Sequence, residues 1–263
     1  MPLAILVAAA GLSLTFTLVW LVQLRTRNAG MIDPVWAASL GGVAMLAAGL
    51  GSGALVNRIA VLVGGGIWGV RLAAHLARRN LGQPEDPRYR QLRETWGPLA
   101  NRKLFGFFQL QAAVSMLLSI AFFVPAFSTQ PATPSAQFVA AAIWCAAVAG
   151  ESSADRQLRR FLRNPAHRGQ VCRTGWWRYS RHPNYFFECL HWCAYTALSL
   201  ALPGGWLTVL PPLLMAWLLV HVSGVPMLEA HLAKTRPGYR DYMRNTSTLI
   251  PWPPRADPPG QAH

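Results

Sequence analysis

With 263 residues, 52% of them hydrophobic and only 13% charged, the chain excludes an ordinary soluble domain, because its apolar residues fall into long blocks. The formal net charge of +14 would suit nucleic acid, but the basic residues lie in short loops between those blocks. That placement points instead to phospholipid headgroups and anionic cofactors.

In chain order, the apolar blocks predict an all-α polytopic membrane bundle with seven spans, at about 3–24, 34–55, 59–77, 104–124, 136–150, 184–202 and 206–225. The first block has no basic run before it and no small-residue cleavage site, so it reads as a retained helix rather than a signal peptide. Apart from Arg58 and Arg71, every arginine and lysine falls in the loops of one side. The positive-inside rule then places the N-terminus outside and the C-terminus in the cytoplasm, which fits a bacterial inner membrane. One membrane domain over 1–252 is expected, with a cofactor-binding half at about 150–252 and a disordered proline-rich tail at 253–263.

Asp33 opens the second block and reads either as a helix N-cap or as an acid with chemistry to perform. Gly64, Gly66 and Gly69 satisfy the spacing of a dinucleotide-binding glycine loop. They lie inside an apolar helix with no preceding strand, so close helix packing through Gly65 and Gly69 is the better account. Arg71 and His75 share one face of the third span, either turned towards a cavity or snorkelling to the membrane boundary. Residues 154–165 form an amphipathic, arginine-rich surface segment. Cys145, Cys172, Cys189 and Cys193 have no C-x-x-C spacing, so neither a zinc site nor a disulfide is expected, and no metal.

Residues 174–185 carry the densest chemistry. Pro183 suits the first turn of a helix, whose outward amides sit beside Arg178 and Arg181 and together attract an anion such as phosphate. The competing reading makes Trp176 and Trp177 an interfacial belt and the basic residues headgroup contacts. In the span that follows, a buried Glu188 must be paired, hydrogen-bonded or protonated. His191, three residues on, is either a proton relay or a histidine satisfied by a neighbouring helix.

The run Gly175, Trp176, Trp177, Arg181, His182, Pro183, Asn184 and Tyr185 resembles the C-terminal signature of the steroid 5α-reductase and sterol reductase superfamily. It is more similar still to a bacterial branch described only as a domain of unknown function. The resemblance is strongest over 150–254 and weaker over 29–96. It implies a phosphate-bearing nicotinamide cofactor, NADPH, held by Gln157, Arg159, Arg163, Trp177, Arg178, Arg181, His182, Asn184, Tyr185, Glu229, Tyr239 and Tyr242. Gln157 and Phe161 match the superfamily's basic segment, whereas Leu158 and Leu162 stand where it has cations and Arg159 and Arg163 follow one residue later.

By the same resemblance Asp33, Tyr185 and Glu188 are the candidate catalytic acids. Trp36, Arg71, Glu85, Asp86, Arg88, Tyr89 and His191 are substrate-facing or structural polar positions. The animal steroid reductases pair their acid with a tyrosine on the next helix, but Trp68 stands at that place here. The function implied is hydride transfer from NADPH to a C=C bond of a steroid- or isoprenoid-like lipid drawn from the bilayer. Two alternatives stay open: an S-adenosylmethionine-dependent methyltransferase of the isoprenylcysteine carboxyl type, and a non-catalytic lipid-binding membrane protein. The sequence leaves the oligomeric state open.

Overall fold

The computed structural model describes residues 1–255; their regular structure is helical, joined by turns and loops, with an isolated parallel bridge between Ser180 and Ser247. Helices α1 (Pro2–Thr26), α2 (Ile32–Leu50), α3 (Leu55–Asn80), α4 (Pro87–Trp96), α5 (Ala100–Leu118) and α6 (Ile120–Phe127) lead to the long α7 (Pro134–Arg163). Helices α8 (Pro183–Ser199), α9 (Leu210–Trp217), α10 (Val225–Thr235) and α11 (Tyr239–Asn245) complete the described chain.

Among the described residues, five helical stretches are long and apolar enough to cross a membrane: Pro2–Thr26, Ile32–Leu50, Leu55–Asn80, Pro87–Phe127 and Gly205–Thr235. The expected fifth and sixth spans lie in α7 and α8. Helix α7 turns charged from Glu151 onward, and α8 is only 17 residues long and carries Asn184, Glu188 and His191. The amphipathic segment expected at 154–165 is not a separate element. Most of it is the end of α7, one 30-residue helix that runs through Gly150 without a break.

The described chain divides into two compact units, the first made of residues 1–140 and 195–211 and the second of 141–194 and 212 onward. The first unit is built around the α2–α3 pair. A methyl group on Gly69 would lie 2.6 Å from the Cα of Gly41, and one on Gly65 would lie 2.4 Å from the Cβ of Ala44. The two helices therefore meet backbone to backbone, which only small residues allow. This is the packing role expected for Gly65 and Gly69.

The turn from α2 to α3 is stitched to the loop after α6. Gly53 N–H donates to the Ala126 carbonyl (3.0 Å), and Ala54 N–H to that of Ser128 (2.8 Å). The fully buried Asn57 donates to the Gln130 carbonyl and accepts from Ala132 N–H. Arg58, one of the two exceptions to the charge pattern, donates to the carbonyls of Ala48 and Gly49 at the end of α2. A cation there satisfies orphan carbonyls and complements the negative end of the helix.

The second unit gathers the end of α7, the 174–185 turn, the start of α8, α10, α11 and the segment to Arg255. A π-helical turn, Leu218–Val222, precedes α10. Gly150 packs against Phe187 so closely that a methyl group would lie 2.2 Å from the ring. Arg255 N–H donates to the Asn245 carbonyl (2.9 Å); residues 256–263 of the expected tail lie outside the described residues.

Candidate functional site

The turn that opens α8 is anchored first on α7. Gly175 has φ 61°, and a side chain there would meet Gln157 at 2.4 Å, so glycine fits both backbone and space. Gln157 Oε1 accepts Trp176 N–H (2.9 Å), Trp176 Nε1 donates to Ser153 Oγ (2.7 Å), and Trp177 Nε1 donates to the Ala154 carbonyl (3.0 Å). The ring of Trp176 also meets Phe187 edge-on at 5.0 Å. Both tryptophans therefore hold the turn to the helix before it, and Gln157 is part of that anchor.

Arg181 is the centre of the turn. Its Nε donates to Glu229 Oε1 (2.7 Å), while one terminal nitrogen donates to the carbonyls of Met243 (2.6 Å) and Thr246 (2.8 Å). The other reaches Glu229 Oε2 (3.3 Å) and Thr248 Oγ1 (2.8 Å). A guanidinium has five N–H donors, and all five are met within the protein. Arg181 was expected to face an anion from solution, and that anion is the buried carboxylate of Glu229.

His182 completes the cluster. Its Nε2 lies 2.9 Å from Glu229 Oε1, its ring stacks on Tyr185 at 5.1 Å, and its backbone N–H donates to Ser180 Oγ (3.1 Å). The segment after α11 runs alongside: Arg181 N–H donates to the Ser247 carbonyl, Ser180 Oγ to that of Leu249, and Trp252 N–H to that of Tyr179. The Tyr242 hydroxyl donates to the Trp177 carbonyl. Burial raises the pKa of the Tyr239 and Tyr242 hydroxyls above the usual tyrosine value. Glu229 adds to the effect at Tyr239, and Tyr239 and Cys172 add to it at Tyr242. Both tyrosines stay protonated and buried among protein groups.

What faces outward is a different set. Arg159 and Arg163 on α7 and Arg178 on the turn are exposed, and the Arg178 guanidinium lies over the Tyr179 ring at 5.9 Å. Asn184 and Tyr185 are half-buried at the start of α8. Further along α8, the buried Glu188 accepts from Trp192 Nε1 (3.0 Å), and His191 is buried against the edge of Trp192. The predicted cofactor residues thus separate into an inner scaffold (Gln157, Trp177, Arg181, His182, Glu229, Tyr239 and Tyr242) and an outward group (Arg159, Arg163, Arg178, Asn184 and Tyr185).

The first unit holds a second polar cluster. Met31, not Asp33, is the N-cap of α2. Asp33 lies in the first turn, with Oδ1 accepting from the Tyr89 hydroxyl (2.6 Å) and Oδ2 from Arg88 (2.6 Å). Asp86 caps α4 through Arg88 N–H and also accepts from the Arg88 guanidinium. Burial raises the Asp86 pKa, but the hydrogen bonds and charge of Arg88, with Arg79 behind them, outweigh it and hold the carboxyl below its ordinary value. Glu85 accepts from Ala29 N–H and from Arg93, which also reaches Gln23. Trp36 packs edge-on against the buried Trp68 at 6.1 Å, and Arg71 is half-buried on α3.

A family model matches residues 19–246 of the chain. The chain belongs to the family described as "Protein of unknown function (DUF1295)". No curated protein and no solved structure matches it. The DUF1295 match takes in Asp33, Arg88, Tyr89 and every side-chain partner of Arg181 except Thr248. Within this DUF1295 chain, sequence reasoning missed the bonds from Asp33 to Arg88 and Tyr89, and the acceptors Met243, Thr246 and Thr248. The chain separation is 55 and 56 residues for the former and 62 to 67 for the latter, so no local pattern signals them.

Asp33→Ala is expected to cost about 2–3 kcal/mol, because it strands the buried Tyr89 hydroxyl and removes one of the two carboxylates on Arg88, which keeps Asp86. Tyr89→Phe, which removes only one hydrogen bond, should cost about 1 kcal/mol. Thermal melts of the purified variants rank the two. Equal melting points would show that the cluster does not hold α2 to α4.

Proposed function

We propose that this chain is a seven-span protein of the bacterial inner membrane, with its N-terminus outside and its C-terminus in the cytoplasm. It acts as an NADPH-dependent reductase of the steroid 5α-reductase and sterol reductase superfamily, on a C=C bond of a steroid- or isoprenoid-like lipid taken from the bilayer. The observation that carries this reading is the convergence of its motif residues. Arg181, His182, Glu229 and Tyr242 come from three separate stretches of sequence and meet within hydrogen-bonding distance of one another or of one turn. That convergence fixes the backbone that carries the exposed Arg178 and the half-buried Asn184 and Tyr185, and the same unit exposes Arg159 and Arg163 of α7.

These outward groups fit an anionic cofactor. Guanidinium forks match phosphate oxygens, and the three arginines carry charge that an anion would neutralise. When bound, NADPH would supply the hydride. Arg159, Arg163 and Arg178 would hold its phosphates, and Tyr185, stacked on His182, would present a fixed ring edge and hydroxyl. Glu188, steadied by Trp192, is a carboxyl that can hold or release a proton in the second unit. Asp33, which the resemblance makes a candidate acid, accepts from the Tyr89 hydroxyl within the first unit.

Thermal stability of the detergent-purified protein, measured against NADPH, NADH and S-adenosylmethionine, tests the reading. NADPH should stabilise saturably, and Arg178→Ala should weaken that response about tenfold while leaving the cofactor-free melting point unchanged. Stabilisation by S-adenosylmethionine alone would replace hydride transfer with methyl transfer. No response to any of the three would leave a lipid-binding membrane protein.

A further inference from the structure

We infer that the second unit carries a separate binding site for a phosphate monoester, in a basic groove between the connection after α7 and the turn from α10 to α11. Two cavities of about 470 and 380 Å³ share Arg168 and Gly169 as common wall. Arg173 lines the first, and His167, His231 and Arg236 line the second. No carboxylate lines either. None of these residues belongs to the scaffold of the α8 turn or to its outward group.

The two walls of the groove are tied together by its own cations. Arg173 reaches across to donate to the Gly238 carbonyl (2.8 Å), and its guanidinium lies over the Tyr242 ring at 5.6 Å. Arg236 reaches back from the other wall to donate to the Gln170 carbonyl (3.1 Å). These bonds fix both side chains but leave their charge uncompensated, since a carbonyl is a neutral acceptor. Each guanidinium has five donors, so each fork keeps N–H groups beyond this one bond. Arg168, shared by both cavities, is exposed.

Arg168, Arg173 and Arg236 line two adjoining grooves that hold no carboxylate, and a bound anion would neutralise their charge. A phosphate monoester suits the site better than a diester or a carboxylate. It approaches two negative charges at neutral pH and offers three strong acceptor oxygens to several forks at once. The ligand could be the headgroup of a phosphatidic acid-type lipid or a water-soluble phosphate. The inference does not depend on the reductase reading.

The test uses the full-length protein in detergent, with its melting point followed against sodium phosphate and against sodium chloride at equal ionic strength. A parallel arm embeds it in phosphatidylcholine nanodiscs containing either phosphatidic acid or phosphatidylglycerol. Phosphate should raise the melting point saturably, beyond chloride. Arg168→Gln should raise the half-saturating concentration about tenfold with an unchanged melting point in chloride, since the side chain is exposed. Arg173→Gln should act in the same direction, and Arg102→Gln, an exposed arginine on α5, should change nothing. Stabilisation by phosphatidic acid but not phosphatidylglycerol assigns the site to a lipid headgroup, and a response to inorganic phosphate alone assigns it to a soluble ligand. The inference is overturned if phosphate and chloride act alike and the two nanodiscs also match. It fails equally if both groove variants titrate as the wild type does.

Discussion

Arg181→Ala is expected to destabilise the protein by about 3–5 kcal/mol, the range for removing one partner of a buried ion pair. The substitution leaves Glu229 buried beside His182 without its guanidinium, and it strands acceptors at Met243, Thr246 and Thr248. Arg181→Lys should recover little, because an ammonium has three donors and no planar fork to span a carboxylate and two carbonyls. The double variant Arg181→Met with Glu229→Leu should melt above Arg181→Ala, since it removes the stranded charge as well. Thermal melts of all three in detergent give the comparison. If Arg181→Ala melts with the wild type and loses only its NADPH response, the guanidinium is a ligand to the cofactor and the scaffold described here is wrong.

Gly69→Val should abolish recovery of folded protein. Overpacking usually costs about 1–3 kcal/mol because neighbouring side chains can shift. Here the obstacle is backbone: the Cα and N of Gly41 and the carbonyl of Ala37 all lie within 3.0 Å of the first added carbon. Relief requires α2 and α3 to move apart, which opens the interface at Gly65 and Ala44 as well. Gly42→Val is the internal control, one residue along α2 from Gly41, with nothing within 4 Å of an added carbon. The fraction of protein that elutes as a single species after detergent extraction should collapse for the first variant and hold for the second. Comparable recovery of both would mean that the helices are not held at backbone contact.

The helices were legible in the sequence because a bilayer span is a matter of length and hydropathy, and the apolar runs supply both. The fifth span ends at about 150 by hydropathy alone, and the helix itself runs on. Hydropathy changes sharply at Glu151, but backbone hydrogen bonding continues through it, so α7 is one rod with an apolar and a charged half. The turn at 174–185 stood out for its density of polar and aromatic groups, and Pro183 does open α8. Sequence could not divide its cations into those facing inward and those facing outward. Arg178 and Arg181 look alike three residues apart, and only the carboxylate of Glu229, 48 residues beyond Arg181, distinguishes them. The same limit hid the bonds from Asp33 to Arg88 and Tyr89.

The partners of Arg181 also impose an order on biosynthesis. Glu229, Met243, Thr246 and Thr248 leave the ribosome after the turn they complete. While they are still untranslated, the guanidinium has none of these acceptors, and the segment before α8 must wait in an unfinished state. Chains truncated after Asn245 would insert their helices yet lack Thr246 and Thr248, so they should be captured by quality-control proteases more readily than chains shortened within the 256–263 tail.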